Sequence, residues 1–249
     1  MCVVGHQPFA TVFLFRQKEQ SMISVVIAVN NGAKFLAAAL NSVMRQTCVP
    51  GEVIVVDDGS TDASPDIAAG FGPPIRVLRC AHRGEYSALN AGLAEARGEL
   101  LAFIDADDLW ADEKLAQQSA ALASDLSIEA VFGRVVQFTD MDCRIAQPEE
   151  IKQRSKSFIG VSKNSMLIRR ATFDRVGPFN AAVVTGFPEW YTRALCSGIR
   201  IEHLESVVAF RRIHRDNTTR LKRETVEGDY LKLVRTLIAQ RDMRNHGTS

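Results

Sequence analysis

Three carboxylates lie within four positions at the end of an apolar run. In "LLAFIDADDLW", Leu100–Ile104 is followed by Asp105, Asp107 and Asp108. Two like charges about 4 Å apart repel by ~1 kcal/mol in water and by ~4 kcal/mol at an effective dielectric of about 20, so a cation is expected nearby. Alternation along an extended chain places Asp105 and Asp107 on one side. Carboxylate oxygens suit Mg²⁺ or Mn²⁺, with water and phosphate completing the shell. The pattern therefore predicts a divalent metal site, although Asp108 could instead open the next turn.

A second acidic pair, Asp57 and Asp58, follows the apolar run Val53–Val56 in "VIVVDDGSTDAS". Gly59 permits a tight turn, and a hydroxyl residue after it can cap a helix that begins near Asp62. This interpretation explains the glycine and the hydroxyl residues but not two adjacent aspartates. A carboxylate here can accept a hydrogen bond from a nucleobase N–H or a ribose hydroxyl, and we favour that interpretation.

The elements that must position these carboxylates alternate between two patterns through residue 124. Short apolar runs predict strands, and residues 33–46 and 87–97 have apolar side chains at helical spacing. The predicted strands are Ile23–Val29, Val53–Val56, Ile75–Leu78 and Leu100–Ile104. Such alternation indicates βαβ units and a parallel sheet covered on both faces, whose ligand site lies at the carboxyl ends of the strands. Three of those ends read "AVNNG", "VDDGSTD" and "IDADD", and all are polar.

After residue 125 the pattern becomes mixed. Strands are predicted at Ala130–Phe138, Ser165–Arg169 and Val207–Arg212, and helices at Phe187–Cys196 and over 224–240. We predict one domain over residues 22–240, in which 22–124 form the ligand-binding half, 125–223 form another wall of the site and 224–240 form a C-terminal helix. Residues 1–21 are expected to be a disordered or non-native extension, with translation starting at Met22.

Composition limits the class of protein. The chain has 249 residues, 46% of them hydrophobic, and a net charge of +1, which is typical of a globular protein and gives no reason to expect nucleic acid binding. Residues 211–244 carry ten Lys and Arg against five Asp and Glu, which suits phosphates, an anionic membrane surface or a solvated helix face. The five cysteines form no CxxC pair, which argues against zinc and favours a reducing compartment. No apolar run approaches the ~20 residues of a membrane span, so we predict a cytoplasmic protein with peripheral contact at the inner membrane face through the basic stretch.

Several stretches resemble the family 2 glycosyltransferases of the GT-A fold, from Met22 to about Gln240. They are "ISVVIAVNNGAKFLAAALNSVMRQT", "EVIVVDDGSTD", "RGEYSALNAGLAEARGELLAFIDADDLW" and "SMLIRRATFDRVGPFN". The resemblance implies an α/β fold with a single Rossmann-like domain and a mostly parallel central sheet flanked by helices. It also implies inverting transfer of a sugar from a nucleoside-diphosphate sugar, UDP being favoured, to an acceptor hydroxyl or other nucleophile on a glycan, a lipid-linked saccharide or a peptide.

The resemblance also assigns roles to residues. Asp58, with Asp57 beside it, would contact the nucleobase and ribose, Asp105 the ribose, and Asp107 the Mn²⁺ or Mg²⁺ ion on the diphosphate. His214, in "FRRIHRDNTT", would serve the metal or the diphosphate, although a lone histidine beside a strand is usually structural. The expected donor-binding residues are Ala28, Asn30, Asp57, Asp58, Asn90, Asp105, Ala106, Asp107 and Arg212.

Two segments depart from the family's pattern. The first strand usually ends in Pro-Val-Tyr-Asn, whereas here it ends in Ala-Val-Asn-Asn, so the aromatic residue beside the base is missing. The acceptor-side Glu-Asp pair is replaced by "TGFPEWYTRA", residues 185–194. Arg193 fits the arginine that usually ends this helix, which makes Glu189 the candidate general base. Alternatively, Glu189 only stabilises the first turn through the helix dipole.

Three other functions compete with this interpretation. A haloacid-dehalogenase-type phosphatase also carries an aspartate at a strand end, but normally on the first strand and with Thr or Val after the second aspartate, where this chain has Asp108. A dinucleotide-dependent oxidoreductase would have GxGxxG where this chain has "VNNGAKF". A non-catalytic nucleotide-sugar-binding module, which keeps the acidic motif but has lost the base, is the third alternative.

Overall fold

The computed structural model describes residues 21–139, 157–215, 217, 225, 228 and 229. The elements of the first half are β1 (Ile23–Val29), α1 (Leu36–Met44), β2 (Glu52–Asp58), α2 (Ser64–Gly70), β3 (Ile75–Cys80), α3 (Glu85–Glu95) and β4 (Leu100–Phe103). The first half ends with β5 (Leu109–Trp110) and α4 (Lys114–Ser124). The elements of the second half are β6 (Ala130–Thr139), β7 (Ser157–Ile159), a 3₁₀ turn (Lys163–Ser165), β8 (Leu167–Arg169), α5 (Arg170–Val176), α6 (Gly186–Cys196) and β9 (Ile201–Ile213). Helices and strands therefore alternate in the first half as predicted.

Within the described part of the chain, these elements form one nine-stranded sheet in the order β3-β2-β1-β4-β8-β6-β9-β5, with β7 paired to β6. The strands β3, β2, β1 and β4 pair in parallel, and β6 also pairs in parallel with β9. The strands β5, β7 and β8 join the sheet through antiparallel pairings. Val29 pairs with Asp57, so the ends of β1 and β2 are level at one edge of the sheet. The predicted α/β fold is confirmed.

The core has two layers because alternate residues of β1 face opposite sides of the sheet. Val25 and Ile27 pack in the cluster that contains Leu36 and Leu40 of α1, whereas Val26 packs in the cluster that contains Leu89 of α3. All of these side chains are at most 1% exposed, and burying such a side chain contributes about 1.5–3 kcal/mol. Apolar packing on both faces therefore fixes the sheet edge that carries the polar strand ends.

Some boundaries differ from those predicted. The helix α1 begins at Leu36 rather than at residue 33, because the backbone from Gly32 first makes a turn in which the N–H of Phe35 donates to the carbonyl of Gly32 at 2.9 Å. The helix α2 begins at Ser64 and has no side-chain cap from a hydroxyl residue. Ser60 instead accepts a hydrogen bond from the N–H of Asn31 at 2.9 Å, so this hydroxyl joins two loops rather than starting a helix.

Some predictions fall outside the described residues. They are the N-terminal extension, apart from Ser21, and most of the helix over 224–240. Within the described ranges, none of the helices combines the length and the apolar character needed to cross a bilayer. Cys48 and Cys80 are free thiols.

Lys114 is a buried charge in this core that the sequence did not indicate. Its side chain is 0% exposed, and its ammonium donates to Oε1 of Gln118 at 2.6 Å and to the carbonyl of Met166 at 3.1 Å. The ammonium also lies 4.4 Å from the centroid of the Trp110 ring. Burial lowers the pKa of Lys114 well below its ordinary value.

We expect this buried amine to make stability depend on alkaline pH. Between its lowered native pKa and about 10.4, the unfolded chain binds the proton of Lys114 more readily than the native chain does, so stability rises with pH by at most about 1.4 kcal/mol per pH unit. Lys114→Met should remove that rise, whereas Lys34→Met, at an exposed lysine, should keep it. Urea midpoints measured between pH 7 and pH 9.5 test this, and parallel curves for wild type and Lys114→Met would contradict it.

Candidate functional site

The loops that follow β1 and β2 are joined by hydrogen bonds between polar side chains and backbone. Asn30 donates from its side chain to the carbonyl of Asp58 at 2.7 Å, and the N–H of Ala33 donates to the carboxylate of Asp62 at 2.9 Å. Asn31 has a φ of 52°, in the left-handed region that asparagine tolerates better than most residues. These hydrogen bonds join the loops at the carboxyl ends of β1 and β2, where the sequence predicts a ligand site.

Both aspartates at the end of β2 are buried and hydrogen-bonded. Asp58 is 2% exposed, and its carboxylate accepts the N–H groups of Arg83 at 2.8 Å and Gly84 at 2.9 Å. Asp57 accepts the N–H of Ser60 at 3.0 Å. These bonds fix the loops after β2 and β3, and the contact of Asp58 with a nucleobase stays a prediction.

A cavity of about 220 Å³ opens beside Asp58, between the end of β3 and the helix α3. It is lined by Asp58, Cys80, Ala81, Arg83, Ser87, Ala88 and Ala91. Small side chains on α3 leave this space open. It can accommodate a planar ring next to a carboxylate.

The three carboxylates after β4 form a cluster. Asp105, Asp107 and Asp108 each place an oxygen within 4.8 Å of the others. Asp108 is 2% exposed, and burial raises its pKa well above the ordinary value, with the neighbouring charges of Asp105 and Asp107 raising it further. The predicted clustering of Asp105 with Asp107 is confirmed, and Asp108 belongs to the same cluster.

Asn164, in the 3₁₀ turn, holds two members of this cluster and was not predicted from the sequence. Its amide donates to Asp105 at 2.8 Å and also to Asp108, and its side-chain oxygen accepts the N–H of Asp105 at 3.0 Å. The indole N–H of Trp110 donates to the carbonyl of Asn164 at 3.0 Å. Asn164 therefore fixes the distance between two carboxylates. Because it lies 59 residues beyond Asp105 in the chain, only the tertiary fold reveals the contact.

Lys163 and Glu85 also reach the cluster, and neither was predicted to do so. The ammonium of Lys163 contacts Oδ1 of Asp105 and lies 2.7 Å from Oε1 of Glu85. Burial opposes the charged form of Lys163, but the carboxylates of Asp105 and Glu85 outweigh it and hold the pKa of Lys163 well above its ordinary value. The sequence predicts a cation near these carboxylates, and the ammonium of Lys163 is one such cation.

The end of β9 approaches Asp107 from the other side. His214 Nε2 lies 2.8 Å from Oδ2 of Asp107, and Asn217 donates to the same oxygen at 3.2 Å. Arg212 donates from Nε to the carbonyl of Asp107 at 2.8 Å, and its backbone N–H donates to Asp108 at 2.8 Å. The structure thus brings Asp107 together with Arg212 and His214, which lie 105 and 107 residues further along the chain.

Asp107 and His214 fit one octahedral cation. Bonds of 2.0–2.1 Å at right angles separate two ligand atoms by about 3 Å, close to the 2.8 Å between Asp107 Oδ2 and His214 Nε2. The guanidinium of Arg212 lies 4.6 Å from the ring of Phe35, and that ring lies 4.9 Å from the imidazole of His214. These contacts orient two basic side chains at the edge of the acidic cluster.

Asn90 and Glu189 lie on helices and have protein partners. The amide of Asn90 donates to the carbonyl of Phe179 at 2.8 Å and accepts the N–H of Phe179 at 3.0 Å. The carboxylate of Glu189 is held by Arg193, with Nε to Oε1 at 2.8 Å and Nη2 to Oε2 at 3.1 Å. The donor contact predicted for Asn90 and the base role predicted for Glu189 stay predictions.

Comparison with known proteins supports the resemblance seen in the sequence. The Glycosyl transferase family 2 profile matches residues 24–195. A PGL/p-HBAD biosynthesis glycosyltransferase of Mycobacterium bovis (strain BCG / Pasteur 1173P2) is 33% identical over 164 residues, which cover 64% of this chain and 63% of that protein. An uncharacterized glycosyltransferase of a Nostoc species is 44% identical over 97 residues, covering 37% of this chain and 30% of the relative. The matches thus span less than two thirds of these relatives.

Solved structures with similar folds include TarS and a mannosyltransferase. TarS of S. aureus in complex with UDP-GlcNAc aligns with a TM-score of 0.65 and 22% identity, covering 79% of this chain and 60% of that one. The mannosyltransferase PcManGT of Pyrobaculum calidifontis, in complex with GDP-Man and Mn²⁺, aligns with a TM-score of 0.63 and 22% identity, covering 80% and 59%. At this identity the likeness establishes the fold. The family profile covers more than half of the chain, and the chain therefore belongs to the family 2 glycosyltransferases.

Proposed function

We propose that the chain transfers a sugar from a nucleoside-diphosphate sugar to an acceptor nucleophile, with inversion at the anomeric carbon. The observation that supports this best is the pair of Asp107 and His214, 2.8 Å apart, beside Asp105 at the carboxyl edge of the parallel strands. Similar folds carry UDP-GlcNAc in one relative and GDP-Man with Mn²⁺ in another. Family membership removes the phosphatase and oxidoreductase alternatives.

The donor is expected to bind along the ledge formed by the ends of β1, β2 and β4. The cavity beside Asp58 would bind the nucleobase, for which uracil is our first choice. Ala28 and Asn30 would contact the donor as well. Asp105 would accept a ribose hydroxyl, with Ala106 allowing close approach.

Asp107 would hold a Mn²⁺ or Mg²⁺ ion, because a carboxylate oxygen suits either cation, and His214 would add an imidazole nitrogen that lies 2.8 Å from that oxygen. When bound, such an ion stabilises the negative charge that develops on the leaving diphosphate. Arg212 places a permanent positive charge next to Asp107, which would also stabilise the negative charge that develops on the leaving diphosphate. Asn164 keeps Asp105 and Asp108 in fixed positions throughout.

Glu189 is our proposed general base. It would remove the proton of the acceptor while the acceptor attacks an oxocarbenium-like centre from the face opposite the diphosphate. Because both oxygens of Glu189 accept hydrogen bonds from Arg193, the acceptor must either displace Arg193 or use a remaining lone pair of the carboxylate.

The same contact favours a second candidate function. Arg193 also donates to the carbonyls of Val176 at 2.5 Å and Pro178 at 2.6 Å, so the arginine and its partner Glu189 are anchored as a structural unit. A chain in which Glu189 has only this role would bind a nucleotide sugar without transferring it. The sequence-based predictions of a glycan, lipid-linked saccharide or peptide acceptor, of a cytoplasmic location and of peripheral membrane contact are part of the proposal.

Release of nucleoside diphosphate from a panel of UDP-, GDP- and dTDP-sugars tests the proposed function. A thermal-shift screen with and without Mn²⁺ first identifies the donor that stabilises the protein. We then expect nucleoside diphosphate to form in the presence of Mn²⁺ and to stop forming after EDTA is added. Stabilisation without any release, across donors and acceptors of all three classes, would support the binding module instead.

A further inference from the structure

The acidic cluster contains a cation that belongs to the protein. The ammonium of Lys163 contacts one oxygen of Asp105, while Asn164 occupies the other oxygen. The same ammonium lies 2.7 Å from Glu85 on the neighbouring helix α3. The Lys163 side chain is only 10% exposed, compared with 34% for Asp105 and 38% for Glu85. Lys163 is therefore more buried than either of the two carboxylates that it joins.

The backbone around Lys163 is fixed relative to the cluster. Asn164, the next residue, both donates to and accepts from Asp105, and its carbonyl accepts the indole N–H of Trp110. Ser162 and Ser165 form a capping box around the 3₁₀ turn. The turn thus holds the start of the lysine side chain in place, while the four-carbon chain still allows the ammonium to turn toward another anion.

This arrangement affects a divalent cation directly. The ion would bind at Asp107 within a cluster whose carboxylate oxygens lie within 4.8 Å of one another, so it would lie close to the ammonium on Asp105. A doubly charged ion about 6 Å from a single positive charge is repelled enough, even at the dielectric constant of water, to weaken its binding by about tenfold. A nucleoside diphosphate is negatively charged and attracts both the metal ion and the ammonium. This attraction offsets the repulsion between the two cations.

We propose that Lys163 makes metal binding depend on the nucleotide. Without nucleotide, its ammonium pairs with Asp105 and Glu85 and disfavours a divalent cation. When the diphosphate enters, the ammonium turns toward it and the cation binds. The proposal rests on the proposed function and adds an order of binding to it. The donor binds together with its metal, rather than to a site that already contains the metal.

Mn²⁺ binding, measured by electron paramagnetic resonance of the free ion with and without UDP or GDP, tests this coupling. Lys163→Met should bind Mn²⁺ alone about tenfold more tightly than the wild type, and the enhancement by nucleotide should shrink by a similar factor. Lys163→Arg, which keeps the charge, should stay within about threefold of wild type. Arg200→Met is a matched control, because it removes one positive charge from an exposed ion pair with Asp125.

Equal or weaker binding of Mn²⁺ alone by Lys163→Met would overturn the proposal. If Lys163→Met shows no cooperative thermal transition, Lys163→Gln is used instead. Its affinity for Mn²⁺ alone is then compared with that of the wild type in the same way. Failure of the wild type to bind UDP or GDP with Mn²⁺ would instead count against the proposed function. Normal nucleotide binding by the wild type, with unchanged affinity of Lys163→Met for Mn²⁺ alone, would overturn only the role of Lys163.

Discussion

Asp107→Ala is expected to lower kcat/KM for sugar transfer by about 10³-fold, equivalent to ~4 kcal/mol of transition-state stabilisation. Asp107 is the carboxylate that pairs with His214 Nε2 at 2.8 Å, so its loss removes one of two proposed metal ligands and leaves the imidazole without its partner. The leaving diphosphate would then develop charge with less electrostatic support. The measurement is the initial rate of nucleoside diphosphate release over a range of Mn²⁺ concentrations.

The matched control for this variant is Asp66→Ala. Asp66 is a surface carboxylate whose side chain is 83% exposed and whose nearest cation, on Arg79, lies 3.6 Å away. We expect Asp66→Ala to keep activity within about twofold of wild type, because exposed ion pairs contribute about 0–1 kcal/mol. Wild-type rates in Asp107→Ala, with an unchanged dependence on Mn²⁺, would exclude Asp107 as the metal ligand.

Glu189→Gln is expected to lower kcat by about 10²–10⁴-fold, the usual contribution of a general base, while leaving the KM for the donor within about twofold. Glutamine has nearly the same shape and its oxygen can still accept from Arg193, but it cannot take a proton from the acceptor. Steady-state kinetics with the donor identified by thermal shift would show the loss in kcat. Glu202→Gln, at an exposed position of β9, is the control for a change of one charge.

A structural role of Glu189 has a different signature. Arg193→Gln breaks the ion pair of 2.8 Å but leaves a carboxylate at position 189, so it should keep most of kcat if Glu189 is the base. If the ion pair only stabilises α6, both variants should lower the urea midpoint together and change kcat to a similar small extent. Full transfer activity in Glu189→Gln would rule out the base assignment.

The acidic strand ends could be predicted because they depend on local rules. Apolar runs of strand length that end in aspartate specify both the strand and its carboxyl end, and parallel pairing then makes the ends of β1 and β2 level, as Val29 opposite Asp57 shows. The strand β4 pairs in parallel with β1, so its carboxyl end lies on the same side of the sheet as the ends of β1 and β2. Asp107 comes shortly after β4 and is therefore expected near those ends.

The partners of these carboxylates could not be predicted in the same way. Lys163, Asn164 and Glu85 lie far from the acidic motif in the chain. They reach the cluster because the 3₁₀ turn packs against β4 and because α3 packs against β1 and β2. No spacing rule marks a lysine in "SKNSML" as the counter-ion of an aspartate 58 residues earlier. The positive charge expected near these three carboxylates is thus supplied in part by the protein itself, through Lys163 and Arg212.

Calorimetry of nucleoside diphosphate binding is the most direct measurement of whether the acidic cluster binds a sugar nucleotide together with a metal. UDP and GDP are titrated into the wild type and into Asp107→Ala, with Mn²⁺ and after EDTA treatment. We expect one of the two nucleotides to bind the wild type with Mn²⁺, and to lose about tenfold or more in affinity in EDTA or in the variant. If both nucleotides give heat changes no larger than those of dilution, with Mn²⁺ in excess, the acidic cluster does not bind a sugar nucleotide together with a metal.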